Sequence, residues 1–140
     1  HVTFPIFLKP DPFERNGVTG TLYELSALQR IEHLEHLKTL ETVTDADMQA
    51  ALNMTITSGA LLVAMSLWHA HPLKGTRNTP KEDVEQIQKE VMMNWTLENI
   101  EEAEYCVKLL SGMVPPPEAK PSQDDAVTEP VSLEKSSPVS

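Results

Sequence analysis

The chain has 140 residues, enough for one domain with a sizeable core. Its net charge is -10, with 11 Lys and Arg scattered among 21 Asp and Glu. That balance lacks the clustered cations that phosphate binding requires, and so argues against a nucleic-acid partner. A basic partner surface is the natural complement, although acidity also serves solubility alone. Cys106 is the single cysteine, which excludes an intrachain disulfide and any multi-cysteine metal site and fits a reducing compartment. No signal peptide is read before the domain, and His1 to Pro5 look extraneous to it.

From Ile6 to Leu22 the sequence predicts extended chain, because Pro5, Pro10 and Pro12 forbid a helix. Asn16-Gly17, both tolerant of positive φ, signals a hairpin turn between Phe7–Phe13 and Val18–Leu22. Isolated hairpins are marginal, so this one should pack on helices, and its open edges are one candidate docking surface. Thr21-Leu22-Tyr23-Glu24 has the form of a capping box, which predicts a first helix from about Leu22 to about Glu41. Leu22, Leu25, Leu28, Ile31, Leu34, Leu37 and Leu40 recur at every third position. Against 3.6 residues per turn each step falls about 60° behind, so the stripe winds around the helix. Such a helix must meet different neighbours along its length, within one chain and across an oligomer.

Thr44-Asp45-Ala46-Asp47 predicts the start of a second helix, with Thr44 as the cap and acids in the first turn. Met48, Ala51 and Leu52 lead into the most apolar run of the chain, Gly59 to Trp68, interrupted only by Ser66. A helix apolar on nearly every face is the central helix of its domain. The run is too short for a membrane span, and polar Asn53, Thr55, Thr57 and Ser58 precede it. His69 and His71 suit a helix C-terminus and Pro72 stops the helix. After a polar loop, Thr79-Pro80-Lys81-Glu82 predicts a third helix carrying Val84, Ile87, Val91 and Met92 on one side. Thr96 then caps a fourth, with Ile100, Ala103, Val107, Leu110 and Met113 on one stripe and a close at Gly112. The predicted fold is mainly α: one domain over 1–113, with a hairpin at 6–22 and helices at 22–41, 45–70, 80–93 and 97–112. Beyond Val114 a proline run gives way to Glu, Lys, Ser and Asp without aromatics, which predicts a disordered acidic tail over 114–140.

Chemistry-bearing motifs are scarce. There is no Gly-rich phosphate loop, nucleophile elbow or His-Glu-x-x-His. His33, His36, His69 and His71 are the residues a zinc ion would need. The plainer account puts the first pair on the surface of helix one and the second at a helix end, so no metal or cofactor is expected. Glu98, Glu101, Glu102 and Glu104 read as a solvated acidic face rather than an acid/base pair. Cys106 lies beside the fourth helix's stripe and reads as core. No enzyme is expected. The six methionines either fill a core or furnish an adaptable apolar surface, and Trp68 and Trp95 are anchors of a core or of an interface.

Longer runs then carry a resemblance: Phe7-Leu8-Lys9, Asn16-Gly17-Val18, Leu25-Ser26-Ala27-Leu28-Gln29-Arg30-Ile31-Glu32-His33-Leu34, Leu62-Val63-Ala64-Met65-Ser66-Leu67-Trp68-His69 with His71-Pro72, and Leu110-Ser111-Gly112-Met113. In that order, over nearly the whole chain after residue 6, they closely resemble the tail assembly chaperones of lambda-like phages, the protein G family. Glu129-Pro130-Val131-Ser132, Lys135 and Val139-Ser140 are similar to that family's C-terminal end. Lys38–Asp47 and Pro115–Ala126 depart from it.

The resemblance implies a non-enzymatic chaperone of the host cell cytoplasm that binds and solubilises the tape measure protein of a long-tailed phage. It implies a longer partner form of the same protein made by a -1 ribosomal frameshift, indirect recruitment of the major tail protein, and absence from the mature virion. Where the lambda slip site encodes Gly-Lys, this chain has Glu134-Lys135. The family has no catalytic residues to carry over. Joined to the apolar central helix, the resemblance places a partner-binding groove around Leu61, Met65, Trp68, His71 and Trp95, with the tail as a flexible spacer. Neither a nucleic acid nor a membrane is an expected partner, while a homo-oligomer is. The rival class is a structural oligomeric tail or connector subunit retained in the virion.

Overall fold

Asn16 and Gly17 both take positive φ, 52° and 84°, the combination a two-residue hairpin turn of the primed type requires. In a computed structural model, which describes residues 7–41 and 47–115, this turn folds Pro10–Arg15 (β1) back on Val18–Tyr23 (β2). The register is antiparallel and runs from Pro10 opposite Tyr23 to Arg15 opposite Val18. Pairing starts at Pro10 rather than at the expected Phe7, whose ring is exposed.

Because β2 runs through Tyr23, the capping box expected at Thr21–Glu24 does not form. Leu22 pairs with Asp11 and is completely buried in the core. The first helix, α1 (Ala27–Glu41), starts one signal later. Its box is Ser26 and Gln29: the Gln29 N–H donates to Ser26 Oγ at 3.2 Å, and the Ser26 N–H donates to Gln29 Oε1 at 3.1 Å. Ser26-Ala27-Leu28-Gln29 has the same form as the Thr21 box, and strand pairing through Tyr23 leaves only the later one free to start a helix.

α2 (Met48–Leu67) is capped by Asp47, whose Oδ1 accepts from the Ala50 N–H at 2.7 Å. Thr44, the expected cap, lies outside the described residues, as does the tail from Pro116 onward. The helix passes into a 3-10 turn over Trp68–Ala70 before Pro72. α3 (Pro80–Asn94) and α4 (Leu97–Leu110) are capped by Thr79 and Thr96, each accepting from the N–H three residues on. Gly112, at φ 70°, closes α4: its N–H donates to Leu109 O and the Met113 N–H to Lys108 O at 2.8 Å.

The C-terminal half of α2 is the centre of the molecule. From Gly59 to Leu67 every residue but Leu61 is buried, under α3 on one flank, α4 on another and β2 across the end. Leu62, Val63, Ile87, Val91, Ile100, Val107, Leu22 and Phe13 form one core with it. Each such side chain stabilises the fold by roughly 1.5–3 kcal/mol relative to exposure. Gly59 permits the closest crossing, since a Cβ there would lie 3.0 Å from Glu104 Oε1 and 3.2 Å from Ile100 Cγ2. Taken with its N-terminal half, the segment Met48–Ala70 spans 23 residues, with mean hydropathy 1.6 over its most apolar 18, long enough to cross a bilayer, contrary to the expectation from the shorter run. The burial of its C-terminal half beneath three other elements is what marks it as a core helix.

The expected stripe of α3 is corrected at one position. Val84, Ile87 and Val91 are buried, but Met92 is exposed because it sits one residue around the helix from Val91.

Candidate partner-binding groove

α1 is laid on α2 by polar side chains. Gln29, only 7% exposed, donates from Nε2 to the Met65 carbonyl at 2.8 Å, and its Oε1 accepts from His69 Nε2 at 2.8 Å. Further along, His36 Nε2 meets Ser58 Oγ at 2.9 Å, so α1 runs antiparallel to α2. The N-terminal end is held by α4: the Leu25 N–H donates to Ser111 Oγ, and Arg30 Nη1 donates to the Ser111 carbonyl at 2.8 Å. His33, read from sequence as a surface residue, is 5% exposed and faces inward. Burial, then the charges of His36, Lys108 and Arg30, lower its pKa.

The apolar residues of α1 face the other way. Leu28, Ile31, Leu34 and Leu37 are between 38% and 63% exposed. Among the described residues, therefore, the winding stripe does not find its several neighbours. Polar residues hold the helix down and leucines look outward.

Between α1 and α3, above α2, lies a groove of about 720 Å³. Leu61 and Met65 on α2 form its floor with Val84 on α3, and Trp68 lies at the end near the 3-10 turn. Leu28, Glu32, Glu35 and His36 of α1 form one wall, and Lys81, Glu85 and Gln88 of α3 the other. The floor is apolar and the rim carries three carboxylates against one lysine. This is the shape and composition that accepts an amphipathic helix with cations beside its apolar face.

Of the five residues expected to line one groove, the structure brings Leu61, Met65 and Trp68 together and separates the other two. Trp95 caps the far end of α3 and stacks on Phe13 of β1, rings 5.6 Å apart and nearly parallel. His71 turns to α3, where Nε2 donates to Glu90 Oε1 at 2.8 Å while Nδ1 accepts from the Leu73 N–H. His36, His69 and His71 likewise keep separate hydrogen-bond partners, Ser58, Gln29 and Glu90. Among the described residues no three His, Cys, Asp or Glu side chains are grouped to hold a metal. Burial, with Lys74 nearby, lowers the His69 pKa to about 4. Cys106 is half-buried, and burial pushes its thiol up, which leaves it a poor nucleophile. Glu102 pairs with Arg15 and Glu104 with Lys108, both near the surface.

Sequence reasoning passed over Asp83. Its buried carboxylate accepts from the Trp68 indole N–H at 3.0 Å and from the Gly75 and Arg77 backbone N–H groups, and these bonds lower its pKa. It fixes the Trp68 ring at the groove's end and ties down the loop after Pro72. Lys74 Nζ lies over the same ring, 4.6 Å from its centre. The one sequence cue was an acid in the first turn of α3, which the helix dipole accounts for equally well. The hairpin edges offer less than expected: the Ser66 hydroxyl accepts from the Tyr23 N–H and donates to the Tyr23 carbonyl on β2, and Pro10 and Pro12 remove donors from β1.

A family profile described as bacteriophage lambda tail assembly chaperone, TAC, protein G, matches residues 6–129. Tail assembly protein G of Escherichia phage N15 is 54% identical over 140 residues, covering 96% of this chain and all of that protein. Tail assembly protein G of Escherichia phage lambda is 46% identical with the same coverage. The longer tail assembly protein GT of phage N15 is 52% identical over 135 residues, 93% of this chain but 54% of the GT protein. No solved structure matches the chain.

Proposed function

This chain belongs to the lambda tail assembly chaperone family, protein G, and from that premise we propose that it binds and solubilises the tape measure protein of its phage. Near-full-length identity to two G proteins is the observation that carries the reading. Their GT counterparts are 52% and 45% identical to this chain over 54% and 48% of their own length, which supports a longer partner form built on the same domain.

The groove supports the reading physically. A tape measure protein awaiting its tube presents long helices with apolar stripes. A floor of Leu61, Met65 and Val84 covers such a stripe, and the glutamates of the rim keep the coated assembly soluble and engage its cations. The protein acts without catalysis in the host cytoplasm. With the longer frameshift form it promotes tube assembly by the major tail protein, and it leaves before the virion is complete.

Co-expression of this chain with its phage's tape measure protein, followed by size exclusion with light scattering, tests the proposal. A soluble complex with many copies per tape measure chain is expected. Two groove changes, Leu28→Asp and Glu85→Lys, alter exposed side chains and should each reduce the copies bound while leaving the fold intact. A tape measure protein that aggregates with or without this chain and its longer form would sink the reading. Immunoblotting of purified virions separates it from a structural subunit, which would be retained.

A further inference from the structure

Among the described residues nothing covers the outward face of α1, and its pattern selects an occupant. Ala27, Ile31, Leu34 and Lys38 follow one another at spacings of four, three and four, so they fall on one line along the helix. That line is a coiled-coil seam. Ile31 stands at the first apolar position of the heptad and Leu34 at the second, the combination that favours two parallel strands. Leu28 and Leu37 widen the apolar strip on either side, and a contiguous exposed strip of this kind marks an interaction surface.

We propose that two copies of this chain pair through α1, parallel and in register, about a two-fold axis along the helix. The charges choose both the partner and the direction. Arg30 flanks the seam on one side and Glu35 on the other, five residues later. In a parallel pair these two flanks face each other across the interface, so Arg30 of each copy meets Glu35 of the other, twice over. In an antiparallel pair like flanks meet, which sets Arg30 against Leu37 and Glu35 against Leu28 and leaves both charges unpaired. Arg30 is already steadied by its bond to the Ser111 carbonyl, which takes one donor and leaves the rest of its fork. A lysine within the seam, Lys38, tends to fix register and to favour small assemblies at some cost in stability. The inward face of α1 keeps Gln29 and His36 on α2 and His33 buried, so pairing needs no rearrangement of the domain. Leu28 and Glu35 border the groove as well as the strip, but Ile31 and Leu34 do not line it, so changes at those two seam residues test pairing apart from tape measure binding.

A 15-residue helix offers little more than two heptads, so the interface lies at the small, weak end of specific contacts. The full chain should dimerise reversibly in the micromolar range, read by sedimentation velocity over a concentration series. Ile31→Glu with Leu34→Glu replaces two exposed side chains and should leave a folded monomer, with an unchanged circular dichroism spectrum and melting curve in dilute solution. Glu35→Arg sets like charges across both flanks and should weaken the dimer about tenfold, and adding Arg30→Glu should restore it. Direction is read by Ala27→Cys in a Cys106→Ser chain: a parallel pair brings the two cysteines together and crosslinks on oxidation, while an antiparallel pair keeps them apart. A chain that stays monomeric at every concentration overturns the proposal. So does a dimer that survives the double glutamate change, or one whose Ala27→Cys form does not crosslink. If the double change instead abolishes tape measure binding by a chain that is always monomeric, the strip belongs to that partner and not to a second copy.

Discussion

α1 and α4 are helices of 15 and 14 residues built on opposite plans. α4 buries Ile100, Ala103 and Val107 and gives Glu98, Glu101 and Glu102 to water. α1 buries Gln29 and His33 and gives Ile31 and Leu34 to water. Spacing explains the difference. Apolar residues three and then four apart stay on one face, as they do in α4, whereas a strict spacing of three winds off it. Hydrophobic burial holds α4, and a few hydrogen bonds hold α1. Each such bond is worth only about 0.5–1.5 kcal/mol net, so α1 should be the less stable element in local opening.

The sharpest break of that comparison uses one substitution in both helices. Ile100→Ala should cost about 2–5 kcal/mol in urea unfolding, since it empties a fully packed site between α2 and β2. Ile31→Ala, measured in dilute solution, should stay within about 0.5 kcal/mol. Equal costs would mean that α1 carries its apolar face inward after all.

A smaller effect probes the polar latch. Gln29→Leu keeps the volume and removes all three bonds of the side chain, leaving the Met65 carbonyl, the His69 Nε2–H and the Ser26 N–H without their partner. The expected cost is about 1–3 kcal/mol, the penalty for buried polar groups left unpaired. Native-state hydrogen exchange should speed in α1 and stay slow in α4. Uniform acceleration across both helices would show that α1 is part of the cooperative core.

The comparison also explains what the sequence made legible. The hairpin turn at Asn16-Gly17, the caps Thr79 and Thr96, and the close at Gly112 were all readable, because a local backbone demand selects each residue. The central helix was readable because Gly59–Trp68 has almost no polar face to offer water. α1 was the element misjudged, in its start and in its orientation. Its start turned on whether Leu22 joined a strand or a helix, which depends on Asp11 across the hairpin. Its orientation turned on where a buried glutamine and histidines find acceptors, and Met65 O and Ser58 are distant in sequence. The groove was half legible for a similar reason: Leu61, Met65 and Trp68 follow one another along α2 and the 3-10 turn that continues it, whereas Trp95 was claimed by Phe13 and His71 by Glu90.

Acid should separate the two plans with the gentlest perturbation. His69 has an ordinary pKa of 6.5 when unfolded and about 4 in the folded domain, so between those values the unfolded chain binds the extra proton. Its contribution to stability is complete above about pH 6.5 and is lost as pH falls toward 4. His33, lowered by burial first, acts in the same direction. His69 bonds Gln29 of α1 and His33 is buried on the inward side of that helix. Asp83, lowered from 3.8 by the Trp68 indole and two backbone N–H groups, keeps its contribution above that value and loses it only at lower pH, where the loop and Trp68 let go. The expected order on acidification is therefore α1 first, then the Trp68 corner, with α3 and α4 last. Amide NMR signals of α1 should broaden or shift between about pH 6.5 and 4 while those of α4 hold, and His69→Gln, which cannot take up the proton, should flatten part of that response. A urea midpoint that is unchanged across this window would mean that the imidazoles reach water in the folded chain, and that the polar face of α1 is less enclosed than its geometry indicates.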